Sequence, residues 1–153
     1  VAQQDYHWIV PGIAQGSYPD PPQEAFRVFD VLVFCAEELQ PRLQPPAGKL
    51  VFKLPLDDDI YRPIPPEVGQ LLHQAAQSLA SYHISGKKLL ITCAQGVNRS
   101  GLMTGLTMMY SLRMPARDTI QLIRAKRTVQ DSDLYALCNP MFEQYLYATS
   151  PVG

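Results

Sequence analysis

The sequence predicts an α/β domain: a central, mostly parallel sheet of about four to five strands with helices on its faces. Short apolar runs of the buried-strand kind stand at residues 31–34, 50–54 and 87–92. Stretches with apolar residues at three- and four-residue steps lie between and after them, at 66–83, 100–112, 116–126 and 134–147. Strands alternating with helices need crossover connections, and crossovers make neighbouring strands parallel. The chain has 153 residues, 46% of them hydrophobic, enough for one sizeable core; no repeat or composition shift divides it, so 1–153 is expected to be a single domain.

Residues 8–18 read as short strands broken by Pro11, Gly12 and Gly16, followed by a short helix near 22–28. Val31, Leu32, Val33 and Phe34 form an apolar run between polar neighbours, and the run from Leu50 ends at Pro55. In the stretch from Pro66, the residues Val68, Leu71, Leu72, Ala75, Ala76, Leu79 and Tyr82 share one helix face until Gly86 stops it. The strand ending at Thr92 comes next, and three helices close the chain.

Thirteen Lys+Arg against 14 Asp+Glu give a net charge of -1, which argues against a protein whose main partner is the nucleic-acid backbone. The longest apolar runs, such as 89–91, fall far short of the roughly 20 residues that span a bilayer, so no membrane partner is expected. The first residues lack the basic opening and apolar stretch of a secretory signal, and a cytoplasmic location is expected, with the nucleus also open. Cys35, Cys93 and Cys138 form no CxxC pair and have no His at metal-ligand spacing; neither a disulfide framework nor a metal or other cofactor is expected.

Chemistry concentrates between the strand ending at Thr92 and the helix opening near Ser100, in Cys93-Ala94-Gln95-Gly96-Val97-Asn98-Arg99-Ser100-Gly101. In open α/β sheets ligands sit at the carboxyl ends of strands, where a helix N-terminus offers free N–H groups and a positive dipole end. Such a place suits an anion. Gly96 lets successive N–H groups of residues 94–98 curl around one ion, and the Arg99 fork matches two phosphate oxygens. The amides and Arg99 also favour a Cys93 thiolate, the form that acts as a nucleophile. A free cysteine is more often a small buried hydrophobe, which is the plain reading of Cys138. For Cys93, matching Arg, Gly, Ser and Gly at fixed offsets has a chance probability on the order of 10⁻⁴.

This segment resembles the Cys-x5-Arg-Ser/Thr-Gly phosphate-binding loop of the cysteine-dependent protein tyrosine and dual-specificity phosphatases. The likeness runs loosely from about Trp8 to Leu146 and implies a phosphatase-like fold. It implies that Cys93 attacks phosphorus to form a phosphocysteine. Ala94, Gln95, Gly96, Val97, Asn98 and Arg99 would bind the phosphate, and Ser100 would stabilise the leaving thiolate, in covalent catalysis without a metal. Leu54-Pro55-Leu56-Asp57-Asp58-Asp59 resembles the family's acid loop, which maps the general acid to Asp58, 35 residues before Cys93. Asp57 and Asp59 read better as a solvated acidic turn. Arg127-Thr128-Val129-Gln130 resembles the tyrosine-phosphatase loop whose Gln positions the hydrolytic water, giving Gln130 that role; a surface Gln without a role fits equally well. In the dual-specificity pattern an Asn before the last helix buttresses the loop, and Asn139 matches. Phe34-Cys35-Ala36-Glu37 resembles a stretch of the phosphatase and tensin homologue family, whose strand-end Cys traps the oxidised nucleophile. Cys35 is the redox candidate on that likeness, and an unreactive core thiol otherwise.

One departure stands beside the nucleophile: Thr92 occupies the place of the family's His, and its hydroxyl is a candidate to replace one hydrogen bond of the thiolate network. The resemblance implies hydrolysis of phosphotyrosine, and of phosphoserine or phosphothreonine, in a phosphorylated protein or peptide partner. An alternative is an RNA 5′-triphosphatase, suggested by Gly96-Val97-Asn98-Arg99-Ser100-Gly101, with Arg113, Arg117, Arg124, Lys126 and Arg127 as the basic surround. Phosphoinositides fit less well because residues 94–98 supply no lysine. A phosphopeptide-binding module on an inactive scaffold is the third reading.

Overall fold

The computed structural model describes residues 4–129 and 133–152. Its strands are β1 (Tyr6–Val10), β2 (Ile13–Ser17), β3 (Val31–Ala36), β4 (Leu50–Leu56) and β5 (Leu89–Cys93). They make one sheet in the order β1-β2-β5-β3-β4. β1 and β2 form an antiparallel hairpin; every other neighbouring pair is parallel. The helices are α1 (Pro66–Ile84), α2 (Arg99–Leu112), α3 (Ala116–Lys126) and α4 (Pro140–Thr149).

The central strands are buried on both faces, which is why they read as continuous apolar runs rather than as alternating ones. Their side chains still divide with period two. Val31, Val33, Cys35, Leu89, Ile91 and Cys93 face the larger core, where Leu72 and Leu79 of α1, Leu102 and Leu106 of α2, Ile120 of α3 and Leu146 of α4 close over them. Leu32, Phe34 and Leu90 face a smaller core with Ala25, Phe26 and Phe29. All four α-helices therefore cover one face; Leu71, expected on the buried face of α1, is instead exposed, because successive helical residues point about 100° apart and Leu72 takes the core position. Each fully buried Leu, Ile or Val contributes about 1.5–3 kcal/mol relative to leaving it in water.

Three elements depart from the sequence reading. The helix near 22–28 is a 3₁₀ helix, Pro22–Arg27. β4 runs on through Pro55 to Leu56, because as an edge strand it has no neighbour needing the N–H that proline lacks. The last helix begins only at Pro140, whose ring fits a first turn and would break an interior. Ahead of it Leu137 takes φ +61, and Asn139 caps the helix by accepting from the Met141 N–H at 2.9 Å.

The parallel order brings the carboxyl ends of β3, β4 and β5 to one edge of the sheet. Glu37 and Glu38, the Asp57 to Asp59 triplet and the loop after Cys93 leave from those ends and meet there.

Candidate active site

The loop from Ala94 to Asn98 is held by its carbonyls. Tyr18 N–H donates to Ala94 O at 3.3 Å, Arg127 Nη2 to Gln95 O at 2.8 Å and Leu137 N–H to Val97 O at 3.0 Å. Gly96 O accepts twice, from Gln15 Nε2 and from Arg127 Nε, each at 3.0 Å, and Asn98 O accepts from Leu102 N–H as α2 begins. In a trans peptide the carbonyl of one residue and the N–H of the next point in opposite directions. Tying five successive carbonyls to the scaffold therefore turns the N–H groups of Gln95, Gly96, Val97, Asn98 and Arg99 the other way. Those donors form the concave array that an anion needs. Gly96 has φ +73, and a Cβ on it would lie 2.3 Å from the backbone of Gly16, so no other residue fits.

Arg127 is the brace behind this loop. It is 1% exposed and is neutralised by Asp5 in a bidentate pair, Nη1 to Oδ1 at 2.8 Å and Nη2 to Oδ2 at 2.9 Å. The guanidinium holds the Asp5 carboxyl below its usual range against the opposing effect of burial. Arg124 likewise points inward, donating to Ala136 O and Leu137 O and pairing with Glu143 at 2.7 Å. Two members of the basic cluster named for the RNA alternative thus serve internal contacts.

Arg99 opens α2 and is 7% exposed. Nη1 donates to Glu38 Oε1 at 2.5 Å and to Leu56 O at 3.1 Å, and Nη2 donates to Glu38 Oε2 at 2.8 Å. The pair raises Arg99 above its ordinary value, and the Arg99 hydrogen bonds hold Glu38 down at about 2, so both stay charged. Nε of Arg99 is buried and has no partner among the described residues. One edge of the guanidinium is thus fixed by protein; the other is open.

Cys93 Sγ lies 3.2 Å from Ser100 Oγ, whose hydroxyl donates to sulfur when the sulfur is a thiolate. Both residues are buried. The Thr92 hydroxyl donates to Val33 O at 2.8 Å, on the neighbouring strand, and so does not replace the missing histidine in the thiolate network. Asp58 is exposed but not loose: Oδ2 accepts from Asn98 Nδ2 at 3.1 Å and Oδ1 from Asn139 Nδ2 at 2.6 Å. Asn139 N–H in turn donates to Asn98 Oδ1 at 2.8 Å. The two asparagines join the phosphate loop, the acid loop and the start of α4. Asp59 instead accepts the N–H groups of Tyr61 and Arg62 at 2.7 and 3.2 Å and shapes the turn, while Asp57 is solvated.

Cys93, Arg99, Asp58, Asn98, Glu38 and Ala94 line one cleft of about 320 Å³. Gln95 and Val97 complete its floor. Of the other expected site residues, Ser100 reaches the cleft only through its contact with Cys93, Gly96 shapes the loop without lining it, Gln130 lies outside the described residues, and Cys35 sits in the core behind the loop. Sequence reasoning missed Glu38, Gln15, Asp5 and the bracing role of Arg127. The available signals were an acidic residue just past a strand end for Glu38, and one charged residue ending an amphipathic helix for Arg127. No group of three or more His, Cys, Asp or Glu arranged to hold a metal occurs among the described residues, and none of their helices is long and apolar enough to cross a membrane.

No protein-family model and no curated protein matches the sequence. Solved structures do match over nearly the whole chain. Human DUSP28 superposes with a TM-score of 0.76 at 20% identity, covering 95% of this chain and 92% of that one. The active form of Tk-PTP gives 0.72 at 22% identity, covering 94% and 95%. Human tyrosine phosphatase-like serine/threonine/tyrosine-interacting protein gives 0.68 at 15% identity, covering 95% of each chain. The chain has the fold of the dual-specificity phosphatases. Its particular likeness, in extent and superposition, includes DUSP28.

Proposed function

We propose that this protein is a cysteine-dependent phosphatase that hydrolyses phosphomonoesters on protein side chains, phosphotyrosine and phosphoserine or phosphothreonine. The observation carrying the reading is the open edge of Arg99, a buried Nε without a partner, in the cleft that also holds the Cys93 thiol and Asp58. A phosphate there would satisfy Nε and the five inward N–H groups together, answering charge on its equatorial oxygens.

In the first step Cys93 Sγ forms a bond to phosphorus, the ester P–O bond breaks, and Asp58 gives its proton to the departing oxygen. In the second a water attacks phosphorus and passes its proton to Asp58. The S–P bond breaks, and the sulfur leaves as a thiolate that receives the Ser100 hydrogen bond. Gln130 is the residue proposed to orient that water. Glu38 and Asn139 are positioning residues, fixing Arg99 and Asp58, while Asn98 holds Asp58 with its side chain and offers its N–H to the phosphate.

Phosphate release from phosphotyrosine and phosphothreonine peptides and from RNA 5′-triphosphate, with Cys93→Ser beside the wild type, tests this. Peptide turnover that disappears in Cys93→Ser while phosphate binding persists is expected. Arg99→Lys should weaken binding and turnover together, since an ammonium cannot chelate two oxygens along a planar edge. Turnover by Cys93→Ser near the wild-type rate would overturn the mechanism. One observation favours a second reading, a phosphopeptide-binding module with weak turnover: the Thr92 hydroxyl is committed to Val33 O, so the thiolate has one supporting bond fewer than the family pattern supplies.

A further inference from the structure

We infer that the substrates are phosphopeptides carrying Arg or Lys close to the phosphorylated residue, an inference that rests on the phosphatase reading above. The clefts at the carboxyl ends of the strands are lined by six carboxylates: Glu38 and Asp58 beside Cys93, Asp5 on the far side of Gln95, and Glu37, Asp57 and Asp59 behind the acid loop. Three of the six are paired within the chain, two with buried arginines and one with an exposed one. Arg99 answers Glu38, Arg127 answers Asp5 and Arg62 answers Asp59. Glu37 and Asp57 form no ion pair with any described residue and leave the rim negative, whereas Asp58 adds no charge while it holds the proton of the first step.

A negative rim alone would mark only a solvated acidic surface. Here it surrounds an anion site defined independently, by the buried and unpartnered Nε of Arg99 and the inward N–H groups of the loop. An entering phosphate dianion therefore meets attraction at the floor and repulsion at the rim. Glu37 and Asp57 are chain neighbours of Glu38 and Asp58, which line the cleft itself, and the Debye length of about 8 Å at physiological salt lets charges so placed act on the same entering phosphate. A substrate whose neighbouring residues are cationic converts the rim from a barrier into a second contact. One whose neighbours are anionic, or that carries further phosphates, meets a penalty at each added charge. Residues 94–98 contain no lysine to offset it.

The test uses two phosphotyrosine peptides of identical core, one with Arg and one with Glu on both sides of the phosphotyrosine. Phosphate release gives kcat/KM, and fluorescence anisotropy with the Cys93→Ser protein gives Kd. The basic peptide should win by about tenfold or more in both at low salt, equivalent to roughly 1.4 kcal/mol, and the gap should shrink as salt rises. Glu37→Lys with Asp57→Lys should reverse the order. The readout is the ratio of the two peptides within each protein, so a change in overall turnover does not enter it. Should the double variant not fold, the salt titration of the wild type decides the matter by itself. Equal values for the two peptides, a gap indifferent to salt, or faster release from RNA 5′-triphosphate than from the basic peptide would overturn the inference. Absence of Cys93-dependent release from every substrate, with the Kd gap intact, would overturn the phosphatase reading and leave the basic preference standing.

Discussion

The carboxylate of Glu38 grips the end of the Arg99 guanidinium in a two-pronged pair, at 2.5 and 2.8 Å, and the buried Nε on the side of the same guanidinium has no partner. Division of one arginine into a held edge and an open edge follows from strand order: Glu38 leaves the end of β3, which lies beside β5, whose loop delivers Arg99. Glu38 is 56% exposed at its side chain, so the pair adds little stability, and its effect is on geometry. Glu38→Gln should lower kcat/KM for aryl phosphates by about 10- to 100-fold, because a misplaced catalytic group costs on that order. The Glu38 carboxyl is held at about 2 against an ordinary 4.5. Its small stabilisation is therefore complete above pH 4.5 and fades as pH falls toward 2. Acid unfolding of wild type and Glu38→Gln should converge below that window; a loss of stability at neutral pH without a loss of kcat/KM would make Glu38 structural only.

Asp58 is held by Asn98 and Asn139, which separates two effects that one substitution would mix. Asp58→Asn should slow substrates with poor leaving groups by roughly 10² to 10⁴-fold and activated aryl phosphates far less, because only the former need a proton in the transition state. Asn139→Ser keeps a good helix N-cap within a few tenths of a kcal/mol, yet its side chain is too short to reach Asp58. It should reproduce the leaving-group dependence in weaker form with little change in unfolding midpoint. A selective defect in Asp57→Asn instead would move the acid by one residue.

The parts of this site legible from the residues alone share a property: they are contiguous in sequence, whereas Asp58 and Asn139 were reached only through the family resemblance. Cys93, Gly96, Arg99 and Ser100 fall within one turn and its helix, and the strands before them are buried on both faces and so appear as unbroken apolar runs. Glu38 and Arg99 are 61 residues apart, Asp58 and Asn139 are 81 apart, and Arg127 and Gly96 are 31 apart. Such contacts depend on which strands are neighbours, and periodicity carries no information on strand order. The apolar residues 134–137 mimicked a helix because Ala136 and Leu137 are buried. What they pack against is α2: Leu137, held at positive φ, lies where a Cβ on Gly101 would come within 2.9 Å of it.

His73 joins three helices through a single tautomer. Thr149 Oγ1 donates to Tyr145 O at 2.8 Å, so it must accept from His73 Nε2–H at 3.0 Å, and Nδ1 is then left to accept from the Tyr110 hydroxyl at 2.7 Å. The neutral ring satisfies both contacts, and burial lowers the His73 pKa from 6.5. Between that value and the lower folded one, the unfolded chain binds the extra proton. Stability is therefore full above 6.5 and declines as pH falls through the folded value. Urea midpoints of wild type and His73→Phe, followed from about pH 8 to about pH 5, should differ in slope, since the other histidines contribute equally to both. Parallel curves would refute the assignment.

Cys35 follows Phe34, the last β3 residue paired with β5, opposite Thr92, and the Cys93 charge acts on its thiol, so the two sulfurs are neighbours at the ends of adjacent strands. Both side chains belong to the same core. Neighbouring strands lie about 4.7–4.9 Å apart, inside the Cα window of about 4.4–6.8 Å for a disulfide. Burial first, and the nearby Cys93 charge second, push the Cys35 thiol well above its ordinary value, so it does not react first. Peroxide should oxidise Cys93 to the sulfenic acid; Cys35 sulfur then bonds to Cys93 sulfur, and the sulfenic oxygen leaves as water with the thiol proton. Intact mass and peptide mapping should find a Cys35–Cys93 link that thiol reverses. Cys35→Ala should lose activity to the same oxidant without recovery, because its sulfenic acid proceeds to the sulfinic acid. Equal recovery in both proteins would leave Cys35 a packing residue and nothing more.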